Sequence, residues 1–101
     1  MAIVEVSILP LGTKTPSISY YVSECHKILK TQDKVTYQLT PMGTILEGKL
    51  DDCMEIIQQM HESTFEAGSK RVITQVKIDD RRDITATMED KVESVEEKLK
   101  D

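Results

Sequence analysis

The sequence predicts an α+β fold in the order βαββαβ, followed by one more helix. Three observations predict it. Four segments alternate apolar and polar residues with period two, as a pleated strand requires. Two segments between them repeat apolar residues every three to four positions, the spacing of one helix face. At 101 residues the chain suits one domain with one modest core.

The first segment sets Ala2, Val4, Val6 and Ile8 on one face and Ile3, Glu5, Ser7 and Leu9 on the other. Pro10-Leu11-Gly12 is expected to end it. Thr15-Pro16-Ser17 opens the first helix, with Thr15 or Ser17 as cap and the proline where its missing N–H has no helical partner. Ile18, Tyr21, Val22, Cys25, Ile28 and Leu29 form its stripe, which fades at Lys30-Thr31-Gln32-Asp33-Lys34. Residues 35–49 read as a hairpin. Val35, Tyr37 and Leu39 alternate with Thr36, Gln38 and Thr40, Pro41-Met42-Gly43 turns the chain, and Thr44 to Gly48 returns it. Asp51 is expected to cap the second helix. Cys53, Ile56, Ile57, Met60 and Thr64 line its inner face, and Gly68 is placed to stop it in a left-handed conformation. Lys70 to Ile78 is the fourth strand, with Val72, Thr74, Val76 and Ile78 opposite Arg71, Ile73, Gln75 and Lys77. A charged loop, Asp79-Asp80-Arg81-Arg82-Asp83, leads to a last helix with Ile84, Met88, Val92, Val95 and Leu99 on a narrow stripe.

This order is a ferredoxin-like βαββαβ sandwich with an extra C-terminal helix, read as one domain over residues 1–101. Two right-handed crossovers place both long helices on one face of a four-stranded antiparallel sheet. The other face then carries Ile3, Glu5, Ser7, Leu9, Ile73, Gln75 and Lys77. Aliphatic residues scattered over a face meant for water suggest that something covers it. A second copy packed sheet to sheet is the commonest solution.

Composition narrows the function. Acidic residues outnumber basic ones 18 to 13, a net charge of −5, which disfavours nucleic acid and anionic membranes as partners. No apolar run approaches the roughly 20 residues that span a bilayer. Met1 to Val6 lacks the basic segment and long apolar stretch of a secretory signal. Two cysteines are too few for a disulfide scaffold, so a reduced, cytoplasmic protein is expected. RNA-recognition domains share this strand order but stack bases on aromatics of the two central strands, and here those strands carry none.

Catalytic and metal motifs are not found. Cys25-His26 and His61-Glu62 lack metal-ligand spacing, and both cysteines fall on core stripes, where a thiol behaves as a small hydrophobe. The histidines read as ordinary boundary residues. The serines lie in no nucleophile elbow, and Pro10-Leu11-Gly12-Thr13 lacks the Gly-Lys-Ser/Thr ending of a phosphate loop. An acylphosphatase would want an arginine in the first loop, which offers only Lys14. A non-enzyme without cofactor or metal is expected.

A polar constellation remains. Glu5 and Glu47 come from the neighbouring central strands, with Ser7, Gln38, Thr40, Thr44 and Gln75 nearby and Tyr37 as an aromatic whose parity points to the core. Two carboxylates at an interface need a partner. The residues alone leave two readings open: Lys77 or Arg71 neutralises them across strands or subunits, or a donor-rich small molecule does.

Three segments together resemble one family. They are Ile3 to Thr13 (IVEVSILPLGT), Ser17 to Val22 (SISYYV) and Tyr37 to Gly48 (YQLTPMGTILEG), supported by Arg71 to Thr74 and Lys77 to Arg81. They look like the thiamine-binding-protein-like family, over nearly the whole chain. The resemblance implies a ferredoxin-like fold, a tetramer of paired dimers, a cytoplasmic location and no catalysis. It also implies thiamine or its hydroxymethylpyrimidine half as a ligand, the other reading being a structural or regulatory homo-oligomer with another metabolite or protein partner. For such a ligand, Glu47 or Glu5 would engage the aminopyrimidine. Tyr37 would face the cationic thiazolium. Thr40 and Thr44 would orient the ring. Ser7 lies beside them, and Ser17 and Ser19 sit at a helix start suited to anions.

Overall fold

The computed structural model describes residues 1–12 and 19–83. The chain runs through β1 (Ala2–Leu11), α1 (Ser19–Lys30), β2 (Thr36–Thr40), β3 (Gly43–Gly48), α2 (Leu50–Glu66) and β4 (Arg71–Asp80). The expected last helix over 84–99 and the caps at Thr15 and Ser17 lie outside the described residues.

The four strands form one antiparallel sheet in the order β2-β3-β1-β4. This is the ferredoxin-like arrangement, with β1 and β3 in the centre. Its register follows the alternation in the sequence. Val4 stands between Leu46 and Ile78, on the face that the helices cover. Glu5 stands between Ile45 and Lys77, on the other face. Ala2, Val4, Val6 and Leu46 are buried from the sheet side, and Tyr21, Cys25, Leu29, Cys53, Ile56, Ile57 and Met60 from the helices. Each large aliphatic side chain taken fully from water contributes about 1.5–3 kcal/mol before chain entropy is counted.

Three boundaries differ from those expected. β1 runs through Pro10 to Leu11, because Pro10 pairs with Val72 and Leu11 with Arg71 while pairing with β3 ends at Val6. With a neighbour on one side only, the strand tolerates a residue without an N–H. β4 continues to Asp79 and Asp80, opposite Ile3 and Ala2, so ladder pairing outweighs the loop-like composition there. Lys49, not Asp51, is the N-cap of α2; its backbone is extended and its side chain makes no cap hydrogen bond. Only Lys49 separates β3 from α2, so Asp51 and Asp52 fall within the first turn. There they favour the helix through its positive dipole end.

The C-terminus of α2 behaves as read. Gly68 has φ of 115°, its N–H donates to Phe65 O at 3.0 Å, and the Ser69 N–H donates to Thr64 O at 3.3 Å. These two bonds form a Schellman closure, for which glycine is the favoured residue.

Candidate ligand-binding site

A cavity of about 300 Å³ opens on the helix side of the sheet, between α1, the middle of β1 and the β2–β3 turn. Its size lies at the lower end of small-molecule sites, roughly 300–1,000 Å³. The turn is made by two residues, Pro41 and Met42, and is locked by Thr40. The Thr40 hydroxyl accepts from the Met42 N–H at 3.3 Å and donates to Gly43 O at 2.9 Å. Gly43 lets the hairpin lie close on β1: a Cβ there would sit 2.6 Å from Val6 O. Beyond Val6 the hairpin and β1 are no longer paired, and α1 spans the gap with Tyr21, Val22, Cys25 and His26.

The lining is apolar with a few short hydrogen-bonding groups. Val6, Tyr21, Leu29 and Met60 form the floor, and Val22, Leu39 and Met42 form the mouth. Ser7, Tyr21, His26, Thr40, Thr44 and Thr64 are the hydrogen-bonding residues among them. Among the described residues that line it, none is Asp, Glu, Lys or Arg. Ion pairs such as Lys27–Glu24 and Lys34–Glu55 lie on the exposed surface, where each contributes little.

Two thiols lie near the core. Cys25 Sγ is 3.6 Å from Met60 O and 3.7 Å from Thr64 Oγ1, directed into the α1–α2 seam. Cys53 is fully buried; burial first, and the Asp52 carboxylate second, push its thiol above the ordinary value. Among the described residues no group of three or more His, Cys, Asp or Glu is arranged to hold a metal ion.

The expected site residues divide between the two faces of the sheet. Ser7 and Thr40, which share the strand parity of Glu5 and Gln38, border the cavity where β1 and the hairpin part, and Thr44 borders it from the helix side. Tyr37 lies on the same side, half-buried against the core, with its ring edge-on to His26 at 5.7 Å. Glu5 and Glu47 stand on the opposite face, across from Lys77 and Thr36 respectively, and do not border the cavity. Gln38 and Gln75 are exposed on that same face. Ser19 is the first residue of α1. His26, read from the sequence as an ordinary boundary residue, is the cavity residue that reading missed. A signal existed in the spacing: Val22 and His26 are four apart and share one flank of α1 beside the apolar stripe.

Residues 4–96 match the sequence profile of the family described as thiamine-binding protein. The UPF0045 protein YqgV of Bacillus subtilis (strain 168) is 50% identical over 102 residues, spanning 98% of each chain. Among solved structures, the hypothetical protein MJ1052 of Methanocaldococcus jannascii superposes with a TM-score of 0.83 at 35% identity, covering 95% of this chain and 96% of that one. A Thermotoga maritima protein described as a candidate for thiamine biosynthesis or salvage gives a TM-score of 0.76 over 93% of this chain and 97% of its own. At 19% identity that likeness bears on the fold alone.

Proposed function

The chain belongs to the thiamine-binding protein family, and we propose that it is a non-catalytic binding protein for an aminopyrimidine, either thiamine or its hydroxymethylpyrimidine half. The observation that carries this reading is the cavity of about 300 Å³ between α1 and the hairpin, apolar with short hydrogen-bonding groups. A flat, neutral heteroaromatic ring suits such a lining, because its faces meet aliphatic and aromatic carbon while its edge meets Ser7, Thr40, Thr44 and His26. A thiazolium or a phosphate would stay at the mouth, in water, since burying a charge without a counter-charge is costly. Binding without chemistry follows from the same lining. Among the described residues of the cavity, Cys25, next in sequence to His26, directs its sulfur to Met60 O, and a nucleophile needs its base within hydrogen-bond reach. A carrier or a sensor is the role consistent with this.

We further propose that the protein is a cytoplasmic homodimer or homotetramer. On the open face Leu9 and Ile73 are 48% and 39% exposed and directly opposite each other, with Ile3 and Ile45 further along the sheet. Glu5 and Glu47 would then face a second copy. Light scattering at micromolar concentration should give a multiple of the 11.5 kDa chain mass; a monomer contradicts this part of the reading.

A thermal-shift screen with thiamine, its phosphates and hydroxymethylpyrimidine tests the ligand. A compound at 100 times its Kd stabilises the fold by about 2.7 kcal/mol. Stabilisation by the pyrimidine half is the expected result, and no shift with any of them overturns the proposal.

A further inference from the structure

The two histidines both sit where a helix meets the sheet, and the fold treats them differently. His61 on α2 has Nδ1 2.7 Å from Thr74 Oγ1 of β4, with its ring edge-on to Phe65. His26 on α1 lies edge-on to Tyr37 in the same manner, yet its Nδ1 is buried with no hydrogen-bond partner. The unpaired histidine is the one that borders the cavity. A buried ring nitrogen without a partner is unfavourable, and folded proteins nearly always supply one. His61 shows that this fold supplies one at its other helix–sheet junction.

Resting on the ligand class proposed above, we infer that His26 is the specificity-determining residue of the cavity. Its imidazole accepts the hydrogen bond that separates an amino-substituted heteroaromatic ring from the same ring without the amino group. Two of the neighbouring polar groups are already engaged, which leaves the His26 imidazole beside the Ser7 and Thr44 hydroxyls as an acceptor. The Thr40 hydroxyl already closes the turn, and the Cys25 thiol is engaged in the helix seam. Nδ1 is buried as it stands; a half-turn of the imidazole about its Cβ–Cγ bond exchanges Nδ1 with Cδ2 and takes the nitrogen out of that buried position without moving α1. A neutral imidazole always has one ring nitrogen free to accept, and an exocyclic amino group has two N–H donors to give.

Calorimetric titration with 4-amino-5-hydroxymethyl-2-methylpyrimidine, and with the same ring carrying hydrogen in place of the amino group, tests the inference. The unmutated protein should prefer the amino compound by about tenfold or more, and His26→Phe, which keeps a ring against Tyr37, should bind the two within about twofold. His26→Gln keeps an acceptor and should keep part of the preference, whereas His61→Phe should leave it unchanged. Nitrogen-15 spectra of the unmutated protein give a reading that does not depend on a variant folding. The His26 ring nitrogens should shift on adding the amino compound and stay in place with the other. If the amino compound binds but His26→Phe keeps the preference, or the ring nitrogens do not move, the inference is overturned while the ligand class stands. If neither ring binds, the ligand class falls and the inference falls with it.

Discussion

Replacing Gly43 by alanine probes the junction on which both hairpin and cavity depend. The added Cβ would lie 2.6 Å from Val6 O, 3.4 Å from Val6 C and 3.5 Å from Ser7 Cβ. The first of these is shorter than any ordinary carbon–oxygen contact, and its partner is backbone, which cannot turn aside as a side chain does. Either β3 moves away from β1 or the turn deforms. Overpacking of this kind costs about 1–3 kcal/mol. For a domain of this size each kcal/mol lowers Tm by roughly 4–8 °C. Urea unfolding followed by circular dichroism should show a lower midpoint with an unchanged slope, meaning a less stable fold that exposes the same surface when it opens. Met42→Ala, next in the chain and 81% exposed, is the control; it should stay within about 0.5 kcal/mol of the parent. Because Gly43 also lines the cavity, Gly43→Ala should weaken ligand binding along with stability. A Gly43→Ala protein as stable as the parent would refute the close approach of hairpin and first strand.

Two further predictions concern the core. Leu46 is fully buried in the central strand β3, opposite Val4 and Tyr37, so Leu46→Ala should cost about 2–5 kcal/mol in the same assay. Cys53 is held above its ordinary value near 9.0 by burial and by Asp52. The unfolded thiol therefore ionises at lower pH than the folded one. This contribution to stability is complete below the unfolded value and is lost as pH rises through the folded one. Denaturant midpoints measured from pH 8 upward should fall accordingly, and Cys53→Ala should flatten that part of the profile; a profile unchanged by the substitution would contradict the burial argument.

Much of the fold was legible because burial in a two-layer sandwich writes itself as period. The alternation of Ala2, Val4 and Val6 against Ile3 and Glu5 gave the correct face for the first half of β1, and the stripe through Cys53, Ile56, Ile57, Met60 and Thr64 named the buried side of α2. The hairpin was legible from Pro41-Met42-Gly43. Ends were harder. Pro10 and Asp79 look like punctuation, yet strand pairing carries the ladder past both, since pairing is a property of the neighbour and not of the segment. Asp51 has the chemistry of a cap, but the single residue between β3 and α2 leaves it no place to act as one.

The site was legible only in part. Thr40, Thr44 and Ser7 stood out as short polar groups around a turn, and they do border the cavity. Glu5 and Glu47 stood out as carboxylates on central strands, and they lie on the open face where the alternation set Glu5, away from the cavity. Sequence chemistry marks residues as polar without saying which layer of the sandwich encloses space. His26 failed to stand out because a histidine beside an apolar stripe is ordinary. Its significance comes from an unpaired Nδ1 and a wall of the cavity, and both are properties of the folded chain.

The central claim is that the ligand enters between α1 and the β2–β3 hairpin and leaves the acidic sheet face alone. Chemical-shift mapping on isotope-labelled protein titrated with hydroxymethylpyrimidine tests this most directly. The account predicts that resonances of Val22, His26, Leu39, Thr40 and Thr44 move together and saturate together. Movement confined to Glu5, Ile45, Glu47 and Lys77 would contradict it.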